Sequence, residues 1–306
     1  MKLEAGNQPV IIIRAKTLSS AFVRTLKALW EKGCNIQTSF DRKGDPPGKD
    51  ATVLVEIEDP FGEPRLHKLG WPGEFKDLET YRLEVVAGVH DHWIERGGQR
   101  WNYTYHERLF AYNVGDGKKV NQIENMIRLM VSVPDFFRRR FQVITWIPSI
   151  DPFIKDPPCL QRLHFRWLPG EDEYWVLNLN SDWRSRDFLN AWFMNVWAMI
   201  DLQRIVAKEV GRRKGIKIKV GRYTDKSDSL HIYGKDFQTV EGMLKRIKKV
   251  HHRKLCWRTN KAESFFESAR YELAAQLESE RLGFGKGVIG GDIDSQSISY
   301  PEEWRE

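Results

Sequence analysis

Cysteine is scarce in this chain of 306 residues: there are 3, Cys34, Cys159 and Cys256, an odd count with no paired spacing. No disulfide framework can be built from them, and a reducing compartment, the cytoplasm, is expected. Cys34 and Cys256 have no partner cysteine at metal spacing, and His90, His92 and His106 are not joined by a second ligand pair, so no zinc site is expected. Long apolar runs are missing as well. The most apolar stretch, 187–210, is interrupted by Asn190, Asn195 and Asp201, which argues against a membrane span. No apolar segment follows Met1, Lys2, Leu3 and Glu4, so no export signal is expected. Internal repeats and Pro/Ser linkers are absent too, which predicts a single domain over 1–306, with 1–40 as a candidate N-terminal extension and the Gly-, Ser- and Asp-rich 283–306 as a flexible tail.

What is present describes a globular chain with a taste for anions. Hydrophobic residues make up 41% and aromatics 12%, enough for a full core, and Lys plus Arg exceed Asp plus Glu by 49 to 42, a net charge of +7 that suits a phosphate. Residues 19–33 read as an amphipathic helix capped by Ser19 or Ser20, with Phe22, Val23, Leu26, Leu29 and Trp30 on its apolar face. A strand is predicted at 51–59 after the basic loop 41–50, helices at 78–88 and 120–133, and short strands at 142–147, 163–168 and 174–180. The segment 187–210 is apolar on nearly every side for four turns, which places it as a helix in the middle of the domain. After it come a basic loop with a short strand (211–228), a second strand (229–234), a basic helix from 239 and another helix around 261–282.

Three constellations carry chemistry. Cys159 follows Pro157 and Pro158, and a thiol presented on a rigid turn can attack as a thiolate if a cation lies beside it; the plainer reading is a small buried apolar residue. Arginines cluster in FRRRF (137–141) and in NSDWRSRD (180–187), where guanidinium groups beside a serine hydroxyl suit a phosphate dianion; the plainer reading is a solvated surface. Strand alternation puts His231 and Tyr233 on one face, within reach of one polar group or merely of each other.

In this order and at these spacings, Arg139, Arg140, Trp146 and Cys159, then Arg184, Ser185, Asp187 and Asn195, then Ser229, His231 and Tyr233 resemble the thymidylate synthase family, firmly over about 100–240. The resemblance implies an α/β (α+β) thymidylate synthase-like fold: a large mixed β-sheet with surrounding helices, a long buried central helix, and the sheet's outer face in the dimer interface. It implies reductive methylation of dUMP to dTMP, with Cys159 attacking C6 of the pyrimidine and methylenetetrahydrofolate giving carbon and hydride. Arg184, Ser185 and Arg42 would bind phosphate, with Arg139 and Arg140 donated across a homodimer. Asn195 would read the uracil edge, His231 and Tyr233 the sugar hydroxyl, and Tyr105 would stand near C5. Glu84 would organise proton-relay water, with Glu79 and Glu107 as rivals. Asp187 belongs to the cofactor side, where Trp93 and Trp101 would provide a dry stacking wall.

Three positions depart from the family pattern: Leu160 follows the nucleophile in place of His, Ser229 stands where many members have Asp, and SYPEEWRE is not the usual short apolar tail. They keep open a nucleotide hydroxymethylase of the same family, in which water replaces hydride. From another class, KRIKKVHHRK and twelve tryptophans would suit a nucleic-acid binder, for which the Cys, Arg and Asn spacings would be coincidence.

Overall fold

The computed structural model describes residues 6–95, 101–133, 139–171 and 173–285. In chain order the elements are β1 (Val10–Ala15), α1 (Leu18–Lys32), β2 (Cys34–Ile36), β3 (Gly48–Ile57), β4 (Leu66–His67), α2 (Phe75–Ala87), α3 (Tyr105–Phe110), β5 (Tyr112–Gly115) and β6 (Lys118–Val120). They continue as α4 (Gln122–Ser132), β7 (Gln142–Ile144), β8 (Leu160–Pro169), β9 (Trp175–Trp183), β10 (Arg186–Asp187), α5 (Phe193–Lys214), β11 (Ile218–Ile232), α6 (Phe237–Lys249), β12 (Cys256–Trp257) and α7 (Thr259–Arg281).

Among the described residues, an eight-stranded mixed sheet in the order β1-β3-β11-β9-β8-β7 forms the frame, with β2 on β3 and β10 on β11. Strands β1 and β3 are parallel, as are β9 and β11; the β3–β11, β8–β9 and β7–β8 pairs are antiparallel. Alternation gives the sheet two unlike faces. One carries Val53, Val55, Ile57, Leu163, Phe165, Trp167, Leu177 and Leu179, all buried under α1, α4 and α5. The other is polar and open, with Arg162 paired to Asp182 and Arg222 donating to Asn180. It is the outer face expected at a dimer interface.

Helix α5 has the predicted central role. Phe193, Val196, Trp197, Met199, Ile200, Leu202 and Val206 are buried around its whole circumference, and α2 packs on it from outside. A single π-helical turn, Phe188–Trp192, leads into it, and the Asp187 carboxylate caps that turn by accepting from the Leu189 and Asn190 N–H groups. Such π turns insert a residue and re-aim the side chains of the next helical turn. That turn carries Asn195.

The sequence reading needs correction in three places. Thr17, one residue before the helix, caps α1 by accepting from the Ser20 N–H at 3.3 Å, while the Ser20 hydroxyl reaches back to the Thr17 N–H. Of the candidate N-terminal extension 1–40, the described residues 6–40 are built into the domain, because β1 lies beside β3 in the main sheet and α1 buries Phe22, Leu26 and Leu29 in the core. The segment expected as a basic loop with two short strands is one strand, β11, with a bulge between Ser227 and Leu230; residues 211–214 belong to α5. Its inward positions include Asp225 and Ser227, polar residues that hide the strand pattern and each accept a hydrogen bond from buried Arg186. Of the expected tail, 286–306 lies outside the described residues, as do Phe137 and Arg138 of FRRRF.

Candidate active site

The turn ahead of β8 delivers Cys159. Pro157 and Pro158 fix the backbone, and their two carbonyls face the Arg184 guanidinium, which donates to Pro157 O at 2.6 Å and to Pro158 O at 3.0 Å. The backbone completes the lock: the Arg184 N–H donates to the Cys159 carbonyl at 2.9 Å, and the Ser229 N–H to the Arg184 carbonyl at 3.2 Å. Three chain segments are thus laced together behind the thiol. Arg184 Nη2 stands 3.7 Å from Cys159 Sγ, and Ser185 Oγ 3.6 Å from it. Since Ser185 Oγ accepts from Arg184 Nη1 at 3.1 Å, its own proton is free to point at the sulfur or at an anion.

A cavity of about 660 Å³ opens over this sulfur, large enough for a nucleoside monophosphate. Cys159, Arg184, Ser185, Asp187, Asn195, His231, Tyr233 and Tyr105 all line it. Asn195, 5% exposed, gives one N–H to the Tyr81 hydroxyl, which leaves its carbonyl and second N–H for a ligand edge. The Tyr105 hydroxyl accepts from the Leu160 N–H at 3.3 Å, directly beside the nucleophile. Burial, reinforced by the neighbouring Cys159, pushes the Tyr105 phenol far above its ordinary range, so it stays a donor. His231 and Tyr233 lie ring to ring at 4.8 Å, and Ser229 bridges from His231 Nδ1 to the Asp50 carboxylate. Burial, then Asp187 and Asp41, raises the Tyr233 phenol.

The comparisons with known proteins bear on this arrangement. The family model described as thymidylate synthase matches residues 74–276, a span that contains the cavity's Cys, Arg, Asn and His–Tyr groups. The chain belongs to the thymidylate synthase family. It is 30% identical over 246 residues to a protein of Methanosarcina acetivorans whose printed name is "putative thymidylate synthase", an overlap of 80% of this chain and 98% of the relative. A protein of the same name from Methanosarcina barkeri is 30% identical over 236 residues, covering 77% and 95%. One from Methanocaldococcus jannaschii is 28% identical over 240 residues, covering 76% and 95%.

Not every residue expected from the thymidylate synthase pattern lines the cavity. Glu84 faces a second cavity of about 300 Å³, which shares Tyr81, Tyr103, Tyr105 and Asp156 with the first; its carboxylate lies 2.7 Å from His90 Nδ1. Its rivals fit worse: Glu79 is engaged by Arg82 and Arg270, and Glu107 is buried against Arg108. Trp101 lines the second cavity, but Trp93 does not; it stacks on His90 at 3.8 Å and gives its N–H to Glu280. The Asp187 carboxylate faces the first cavity while spent on capping. Arg42 lines neither cavity, although its loop neighbour Asp41 lines the first. Arg139 and Arg140 are exposed beside β7, and neither lines either of these two cavities.

Sequence reasoning missed Tyr81, which positions Asn195, and Tyr103, which stands between the two cavities. Tyr81 lies one helical turn before Glu84 on α2, the one signal that could have found it. The arginine cluster of 180–187 also makes Arg186 look like a phosphate ligand. The Arg186 side chain is buried instead, over the Trp183 ring and against Asp225.

Proposed function

We propose that this protein makes dTMP from dUMP by reductive methylation, with methylenetetrahydrofolate as the second substrate and Cys159 as the nucleophile. The observation that carries the reading is the Cys159 thiol held between Arg184 and Ser185 in a cavity that also presents Asn195. The Cys159 thiolate adds to C6 of uracil and makes C5 the nucleophilic carbon; it is expelled from C6 again when the exocyclic carbon on C5 takes up the hydride, which frees dTMP. Asn195 accepts from N3–H and donates to O4, where the enolate charge develops, so the amide acts on the transition state as well as on the bound base. Arg184 and Ser185 take the phosphate, and His231 with Tyr233 the sugar hydroxyl. Arg42 completes the phosphate site from its loop, and Arg139 and Arg140 come from a second copy in a homodimer.

A flat folate ring fits the second cavity, whose wall is Tyr81, Tyr103, Tyr105 and Trp101 and which opens beside the thiol through the shared tyrosines. When bound there, the folate supplies the one-carbon unit and the hydride. Tyr105 stands next to the reacting carbon, and Glu84, through water, takes the C5 proton away. The aromatic wall excludes bulk water from the transferred carbon. Incubation with dUMP and methylenetetrahydrofolate is expected to yield dTMP and dihydrofolate in equal amounts. Tetrahydrofolate with 5-hydroxymethyl-dUMP would refute hydride transfer.

A further inference from the structure

Away from the nucleotide cavity, three side chains that it does not use converge from distant parts of the chain. Strands β4 and β12 pair antiparallel with His67 opposite Cys256, and the 3₁₀ turn His252–Leu255 just before β12 brings in His252. One ligand atom from each lies within 4.8 Å of the others, a grouping found once among the described residues. Cys256 Sγ is 3.5 Å from His252 Nε2. Ligands on a tetrahedral zinc at roughly 2.0–2.3 Å stand roughly 3.3–3.8 Å apart, so the protein needs little movement to close on an ion.

The second observation is His67 itself. Its side chain is fully buried against the Phe22 ring, its Nδ1 faces the Leu69 N–H at 3.3 Å, and its Nε2 has no hydrogen-bond partner. A buried polar atom without a partner calls for an explanation, and a missing ion is one. Ser19 Oγ, 3.5 Å from His252 Nε2, adds an oxygen to the rim of the fourth position.

We propose that His67, His252 and Cys256 bind a zinc ion, two imidazole nitrogens and one thiolate, with water in the fourth position. Two nitrogens and a sulfur select zinc over magnesium or calcium. On binding, the Cys256 thiol gives its proton to solvent, and the His67 ring carries its proton on Nδ1 while Nε2 ligates, so the weak contact from Leu69 is given up. The ion joins β4 to β12, which ends two residues ahead of α7, and to the turn before β12. Its role is to fasten the C-terminal helix to the core, and it takes no part at Cys159.

The test uses the full chain without a tag, stripped by chelator and then given zinc sulfate or cobalt chloride. Expected are one zinc per chain by elemental analysis, a higher unfolding temperature with zinc, and thiolate-to-metal absorption with cobalt. Cys256→Ser and His252→Asn, both at partly exposed positions, are expected to weaken zinc binding by about tenfold or more and to abolish the zinc-dependent thermal shift. Cys34→Ser is expected to behave as wild type. Wild type that takes up no zinc, or Cys256→Ser that binds it as tightly as wild type, overturns the proposal; if His252→Asn does not fold, Cys256→Ser alone decides.

Discussion

Replacing Asp225 by asparagine tests how the segment Arg184–Asp187 is held in place. Arg186 lies between the cavity-lining Ser185 and the capping Asp187, and its guanidinium points inward to Asp225 and Ser227, 4.2 Å over the Trp183 ring. Arg186 is 2% exposed and Asp225 1%. Burial pushes the Asp225 carboxyl up, and the Arg186 charge is what offsets that cost. Asparagine keeps the shape and removes the charge, which leaves a buried guanidinium without its counterion, a loss of about 3–5 kcal/mol. With an unfolding entropy of about 2.1 cal/mol/K per residue over 306 residues, this lowers Tm by about 5–8 °C. The assay is thermal unfolding followed by circular dichroism, with the KM for dUMP measured below the transition; KM is expected to rise as β10 loosens from β11. The double variant Arg186→Met with Asp225→Leu removes both charges and is expected to recover most of the loss. A fall in Tm of less than about 2 °C for Asp225→Asn, below about 1 kcal/mol by the same conversion, or a double variant worse than the single, would refute the reasoning.

Asn195→Asp is expected to keep the fold, because the Tyr81 hydroxyl can turn and donate to the new carboxylate, while kcat/KM for dUMP falls by about 10²-fold or more and turnover of dCMP appears; unchanged base preference in steady-state assays would show that another residue reads the ring. Mixing inactive Cys159→Ala with inactive Arg140→Ala is expected to restore about a quarter of wild-type activity, since half of the dimers are hybrids and each regains one complete site. No recovery after subunit exchange would count against shared sites.

Much of the site was legible because its parts sit at fixed spacings within single segments. The Pro-Pro turn announces a presented thiol, and Arg184, Ser185 and Asn195 lie along one strand-to-helix passage whose helix is apolar all round. Other parts were hidden for physical reasons. Strand β11 carries Asp225 and Ser227 on its inward face, so its pattern looks polar until Arg186 is placed beneath it. The arginines of 180–187 look alike in sequence, yet Arg184 faces the cavity and the Arg186 guanidinium is buried in the core against Asp225, a partner that only the pairing of β10 with β11 supplies. Trp93 has the look of a cofactor wall, but its N–H is claimed by Glu280 of α7, nearly two hundred residues later. His252 and Cys256 lie four residues apart, but His67 is far off in sequence and only the pairing of β4 with β12 brings it beside them.

The central claim is that Cys159 becomes covalently attached to the pyrimidine, and mass spectrometry of the intact protein after incubation with 5-fluoro-dUMP and methylenetetrahydrofolate tests it most directly. The account predicts that wild type gains the mass of nucleotide plus folate, with the modified peptide containing Cys159, and that Cys159→Ser gains nothing. Equal modification of both proteins, or an adduct on Cys34 or Cys256 instead, would contradict it.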